Sequence, residues 1–287
     1  MKNDFISIYI HFPFCIKKCM YCNFNSIPFS NDTFDSYISA LHNEIKSFEP
    51  SLKQRKIQSI YLGGGTPSLA PAKTIKNLLE ILPKNSIPSG GPLEVTMETN
   101  PGAIASDYFK NLLLAGVTRI SFGVQSFNNT FLTEIGRIHD RKQAISAFEK
   151  ARDAGFRNIS IDLMFALPGQ TLKEWEQDLY TAVSLQPDHI SVYALTPEPG
   201  TLLHLQLDTK EKSLPEEETQ RAMYIQALQV LKKNGYNHYE ISNFSLPGKE
   251  CIHNMNYWDN GEYAGFGAGA FSFLNTIRRE NEPEIST

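Results

Sequence analysis

Along the chain, short runs of β-branched and aromatic residues alternate with longer stretches patterned for helices. Six strand-like runs stand out: FISIYI (5–10), IQSIYL (57–62), LEVTME (93–98), TRISFGV (118–124), NISIDLMF (158–165) and HISVYAL (189–195). Each ends at Gly, Pro, Asn or Gln, the residues that close strands. Helices are predicted between them, over roughly 31–48, 72–82, 104–115, 139–154, 171–185 and 215–234. Asp32 and Thr33 precede the first. Gly116, Gly155 and Gly235 fall just past three others, where a left-handed C-cap favours glycine.

Six repeats of strand and helix predict parallel pairing through right-handed crossovers. The fold class is therefore α/β. The pattern alone does not choose between an open doubly wound sheet and a curved, incomplete barrel. After about residue 236 the alternation stops. The segment from Tyr236 to Phe273 is rich in Asn, Tyr, Phe and Gly and reads as short strands and loops, and the tail RRENEPEIST (278–287) is polar with no cap. The predicted division is 1–235 for the main unit and 236–287 for the start of a second.

In either parallel architecture, ligands gather beyond the carboxyl ends of the strands. The unusual residues of this chain fall there. Three cysteines follow the first strand, and Gly63, Gly64, Gly65, Thr66 and Pro67 follow the second. Glu98, Asn100 and Pro101 end the third, and Gln125 ends the fourth. Asp162 lies in the fifth, with Leu167, Pro168 and Gly169 beyond it; Thr196 and Pro197 end the sixth. Glycine at 63–65 lets backbone approach a ligand closely and tolerates positive φ, so N–H groups there can hold a carboxylate or an amino-acid moiety.

The chain has 287 residues and a formal net charge of −4. That charge gives no reason to expect binding to nucleic acid or to an anionic membrane surface. No apolar run approaches the roughly 20 residues of a membrane span. The opening MKNDFISIYIHFP reads as a first strand and not as a signal peptide, so the expected location is the cytoplasm.

Cys15, Cys19 and Cys22 form a C-x3-C-x2-C run; the fourth cysteine, Cys251, is distant. Clustered thiols in a large chain indicate a metal rather than a disulfide framework. A closed zinc site needs a fourth ligand, and His11 or Asn23 are the nearby choices. A redox C-x2-C pair leaves Cys15 without a role. A cubane held by three thiolates leaves one iron open to a ligand.

The run, with an aromatic before its last cysteine, resembles the radical S-adenosylmethionine (SAM) signature. That resemblance implies a [4Fe–4S] cluster on Cys15, Cys19 and Cys22, with SAM chelating the open iron and cleaved to a 5′-deoxyadenosyl radical. It implies a partial (β/α)6 barrel. YIHFPFC, GGGTPS, METNPG, SFGVQSFN, GRIHD and IDLMFALPGQT together resemble the oxygen-independent coproporphyrinogen III oxidase group, from about residue 5 to about 273. By that resemblance Tyr9, Gly64, Gly65, Thr66, Glu98, Gln125, Arg137 and Asp162 contact SAM, and 236–287 begins the group's C-terminal domain.

Within the group, Phe24 stands where the oxidase has a further cysteine, and Cys15 lies close to the start. CIHNMNYW (251–258) resembles the H-N-x-x-Y-W motif of the HemW type, a haem chaperone. The resemblance implies haem as a ligand, transfer to an acceptor protein, an external electron donor and no coproporphyrinogen dehydrogenase activity. His253 is an imidazole able to ligate iron, and Tyr257 and Trp258 offer flat faces to a porphyrin; Cys251 is a further soft donor. Read without the resemblance, the same three are core aromatics and a hydrogen-bonded histidine. No residue is assigned a catalytic role. Two departures are visible. Phe271 occupies a position commonly held by histidine in relatives, and family members continue into a fuller C-terminal domain. The alternative function is the oxidase reaction, decarboxylation of a porphyrinogen.

Overall fold

A computed structural model describes residues 5–53, 55–83, 93–102, 104, 105, 107–274 and 277–281. All six predicted strands are present: β1 (Phe5–Phe12), β2 (Lys56–Gly64), β3 (Glu94–Thr99), β4 (Arg119–Gln125), β5 (Ile159–Phe165) and β6 (His189–Ala194). They pair in sequence order and in parallel.

The alternation within these strands explains the architecture. One face carries Ile6, Ile8, Ile10, Ile60, Leu62, Val95, Met97, Ile120, Phe122, Ile161, Ile190 and Val192, all in the apolar core under the helices. The other face carries Ser7, Ser59, Tyr61, Glu94, Thr96, Glu98, Arg119, Ser121, Ser160, Asp162, His189 and Ser191. A single cavity touches this second face from β2 through β6. The sheet is therefore curled, with an apolar outside covered by helices and a polar lumen: a partial (β/α)6 barrel.

The outer helices are α1 (Asn31–Leu52), α2 (Ala72–Glu80), α3 (Tyr108–Ala115), α5 (Arg141–Ala154), α6 (Leu172–Ser184) and α8 (Glu217–Lys233). Ser30 caps α1, so Asp32 and Thr33 lie inside its first turn and not before it. Asp140 with Gln143 and Thr171 with Glu174 form capping boxes on α5 and α6. Gly116 and Gly155 end α3 and α5 at φ of 103° and 111°, as the C-cap argument requires.

Two short helices interrupt the alternation, α4 (Asn129–Glu134) and α7 (Leu202–Asp208). A third, α9 (Ile252–Trp258), corrects the expectation of strands and loops there. Its length is below what stands alone in water, so its stability comes from what it packs on. The C-terminal segment does not stand apart from the barrel sheet. β7 (Asn237–His238) and β8 (Asn243–Ser245) extend it antiparallel beyond β6. β9 (Tyr263–Phe266) joins parallel to β1 on the other side, followed by β10 (Phe271–Leu274) and β11 (Ile277–Glu280). Residues 282–287 of the polar tail lie outside the described residues. Among the described residues no helix is long and apolar enough to cross a membrane.

Candidate functional site

The three cysteines occupy the loop that leaves β1. Phe14–Cys15 and Ile27–Pro28 pair as a two-strand clip at its base. Its middle is tied to the barrel by Met20 N–H donating to Ile135 O (3.0 Å) and Leu203 N–H donating to Met20 O (2.9 Å). The sulfurs face one cavity of about 400 Å³. Thr66 Oγ1 donates to Cys15 Sγ (3.7 Å) and Arg137 Nη1 to Cys19 Sγ (3.4 Å). Burial pushes the Cys22 thiol up, and the neighbouring Cys19 and Cys15 add to this. Among the described residues no three Cys, His, Asp or Glu side chains converge on a single-ion position. A cubane takes each thiolate on a different iron, so its ligands need not converge.

Gly64, Gly65, Thr66, Glu98, Gln125, Arg137 and Asp162 all line that same cavity. Seven residues drawn from four strands and two loops thus meet the cysteines. Two glycines are required by the approach of chain to chain. Gly64 sits at φ 109°, where a Cβ would lie 2.6 Å from the His11 ring, and a Cβ on Gly65 would lie 2.6 Å from Phe14 O.

Glu98 is held at both oxygens, by Tyr61 Oη–H at 3.0 Å and Gly64 N–H at 3.2 Å. Burial and then the charge of Asp162 push its carboxyl up to about 7, against those two hydrogen bonds. Ser121 Oγ donates to both Asp162 oxygens at 3.1 Å. Burial also raises Asp162, opposed by its hydroxyl donors and by Arg119. Two raised carboxyls at the cavity's centre favour a ligand that brings positive charge.

The end of β4 is bent into this cavity. The β4–β5 register slips between Gly123 and Gln125, and Gln125 takes φ 69°. Side chains of the GRIHD segment take the carbonyls freed by the bulge: Arg137 Nη2 donates to Gly123 O (2.5 Å) and His139 Nε2 to Val124 O (3.1 Å). Bulges re-aim side chains in this way. Burial and the adjacent Arg137 lower His139 to about 3, so it is neutral.

The lumen continues below Glu98 into residues the sequence reading did not single out: Thr96, Arg119, His189 and Asn254, together with Cys251. Period-two counting back from Gln125 through Gly123 and Ser121 reaches Arg119, so a lumen position was legible there. His189 is fixed by Ser160 Oγ and Tyr239 Oη, both at 2.8 Å. Glu94 closes the floor. It accepts from His253 N–H (3.0 Å), Ile252 N–H (3.1 Å) and Cys251 Sγ (3.4 Å), and so clasps the N-terminus of α9. Acidic groups favour that end of a helix.

Of the remaining predicted residues two share another cavity, and His253 and Trp258 line neither. Tyr9 and Tyr257 line a second cavity of about 860 Å³, with His11, Phe24, Tyr263, Phe271 and Phe273. Tyr9 Oη bonds His11 Nδ1 at 3.0 Å. Trp258 is half exposed at the end of α9. His253 is buried behind Tyr257, its Nδ1 on Ser59 Oγ and its Nε2 on Tyr257 Oη, each at 2.9 Å. In this conformation both ring nitrogens are engaged, and burial lowers the imidazole to about 3.

Comparison with known proteins agrees with the geometry. Residues 9–180 match the family model of the radical SAM superfamily. The heme chaperone HemW of Bacillus subtilis is 40% identical over 275 residues, covering 96% of this chain and 73% of that one. The heme chaperone HemW of Lactococcus lactis is 42% identical, covering 96% and 71%. The solved structure of coproporphyrinogen III oxidase (HemN) from Escherichia coli, a radical SAM enzyme, superposes with a TM-score of 0.83 at 26% identity, covering 98% of this chain and 67% of that one. The superfamily implies a [4Fe–4S] cluster and SAM, and the thiol loop, its guanidinium neighbour and the raised carboxyls suit both. The chain belongs to the radical SAM superfamily and, within it, to the HemW family.

Proposed function

We propose that this chain is a radical SAM protein that binds haem and passes it to an acceptor protein. One observation supports it most: three thiols and seven SAM-type residues line one cavity, and an aromatic cavity adjoins it. In this reading Cys15, Cys19 and Cys22 hold the cluster. Gly64, Gly65 and Thr66 offer backbone and hydroxyl groups to the methionyl end of SAM. Glu98 and Asp162 balance its positive charge, and Gln125 and Arg137 orient it. When bound, cluster and SAM supply one-electron chemistry.

Haem is assigned to the second cavity, where Tyr9, Tyr257, Phe24 and Phe271 give flat apolar walls. Tyr9 thereby serves the haem side more directly than the SAM side. His253 reaches iron only if it gives up Tyr257, so Tyr257 is the gate to any histidine ligation. Phe24, in place of the oxidase's extra cysteine, contributes to both walls. This favours haem handling over porphyrinogen oxidation, as does 40% identity to the HemW relative against 26% to the oxidase.

The test pairs two assays on the cluster-loaded chain. Haem titration followed by its Soret band is expected to saturate at one haem per chain, and coproporphyrinogen turnover is expected to be absent. Turnover without haem binding reverses the reading.

A further inference from the structure

The two cavities stand back to back. Gly64 and Phe24 line both. Between the cavities lies Tyr61, on the cysteine side. Its ring stacks on Tyr9 at 6.3 Å and lies 5.1 Å from the His253 ring. Tyr9 lines the aromatic cavity, and His253 is bonded there to Tyr257 Oη at 2.9 Å. The Tyr61 hydroxyl faces the other way and donates to Glu98 Oε1 at 3.0 Å. The second Glu98 oxygen accepts from Gly64 N–H, at the residue common to both walls.

We propose that Tyr61 is a positioning residue that holds Glu98 toward the cysteine cavity and, through its contacts with Tyr9 and His253, makes the two cavities bind their ligands cooperatively. The inference rests on the assignment of SAM to one cavity and haem to the other. The sign follows from charge. SAM carries a sulfonium and an ammonium group, and a cation beside Glu98 favours its ionised form. A phenol donating to a carboxylate makes a stronger hydrogen bond than one donating to a neutral carboxyl. Tyr61 is then pinned, and Tyr9 and His253 with it. A flat ligand entering the aromatic cavity meets a wall already ordered and loses less conformational freedom on binding. SAM therefore tightens haem binding. Linkage requires that haem tighten SAM binding by the same factor.

Haem is titrated into the cluster-loaded chain with and without saturating SAM, and SAM is titrated with and without haem. The expected gain in wild type is about threefold to tenfold in each direction. In Tyr61→Phe, which keeps the ring and removes the donor, the ratio falls to about one. Tyr257→Phe, which cuts the hydroxyl from His253, lowers the ratio from the opposite side and carries the test if Tyr61→Phe does not fold. Melting temperature and iron content establish that each variant is intact. An unchanged ratio in an intact variant, a wild-type ratio of one, or mutual weakening overturns the coupling. If wild type binds neither ligand, the assignment of the cavities fails and the coupling falls with it.

Discussion

The cysteine cavity and the aromatic cavity are built on opposite principles. In the first, three charged groups from two strands and a loop are held by named partners: Glu98 by Tyr61 and Gly64, Asp162 by Ser121, Arg137 by Gly123 and Cys19. In the second, rings come from three strands, a loop and a short helix, and three stay open to solvent: Phe24 at 57%, Tyr257 at 39% and Phe271 at 36% exposure. Charge in a low-dielectric lumen is costly unless its partners are fixed, so the first cavity is rigid by necessity. Apolar contact is non-directional, so the second can adjust to a broad, flat ligand.

Substitutions in each cavity should separate these principles. The largest effect is expected from Cys19→Ala, which removes a cluster ligand and the acceptor of Arg137. Iron content should fall from about four per chain to none after anaerobic reconstitution, and an intact cubane spectrum would sink the cluster assignment.

Next is Glu94→Ala at the N-terminus of α9. It leaves the buried N–H of His253, the partly buried N–H of Ile252 and the Cys251 thiol without their acceptor. A loss of about 2–4 kcal/mol in denaturant unfolding is expected, with haem affinity reduced because Tyr257 is carried on α9. Unchanged stability would show that α9 does not depend on this clasp.

Glu98→Gln opposes stability to function. The folded carboxyl titrates at about 7, above its unfolded value. A group raised in the folded state contributes stability in full below its unfolded pKa and loses it as pH rises through the folded one. Glutamine has no such loss. The cluster-free variant should therefore exceed wild type at pH 8 by about 2–3 kcal/mol, and the gap should close on titration toward pH 4. SAM affinity at pH 8 should fall at least tenfold, and this deficit should also shrink toward pH 4, where the wild-type carboxyl is itself protonated. A gap that widens toward acid would contradict the assignment.

The smallest effect is expected from Phe24→Ala. Loss of an exposed ring in an adaptable wall should weaken haem by about threefold, in line with partial burial of one aromatic face. A hundredfold loss would mean that the aromatic cavity is as rigid as its neighbour.

Much of the barrel was legible because period two and parallel connectivity are both written into the strands. The core face of Ile120 and Phe122 and the lumen face of Ser121 and Gly123 follow from alternation alone. The cysteine loop and the glycine run were legible as chemistry at strand ends. Only the resemblance put Arg137 with Gln125; alternation could not, because their meeting depends on a bulge that only the folded chain shows. Nor was α9. Seven residues of mixed polarity carry little helical signal, and the cap that stabilises them is Glu94, far away in sequence. Tyr9 sits two strand positions from His11, on the same face, and reads like any lumen residue, yet it lines the second cavity.

The pairing of β1 with β9 has a consequence for synthesis. Ser7 lies opposite Tyr263, so the first strand waits for a partner 256 residues downstream. At synthesis rates of about 5–20 residues per second that interval is on the order of 10–50 s. Throughout it, one edge of β1 presents unpaired backbone, and the thiol loop leaving that strand lacks the floor that α9 provides. A newborn chain is thus open to misassociation and to oxidants in the same window, and iron loading is best timed to its close.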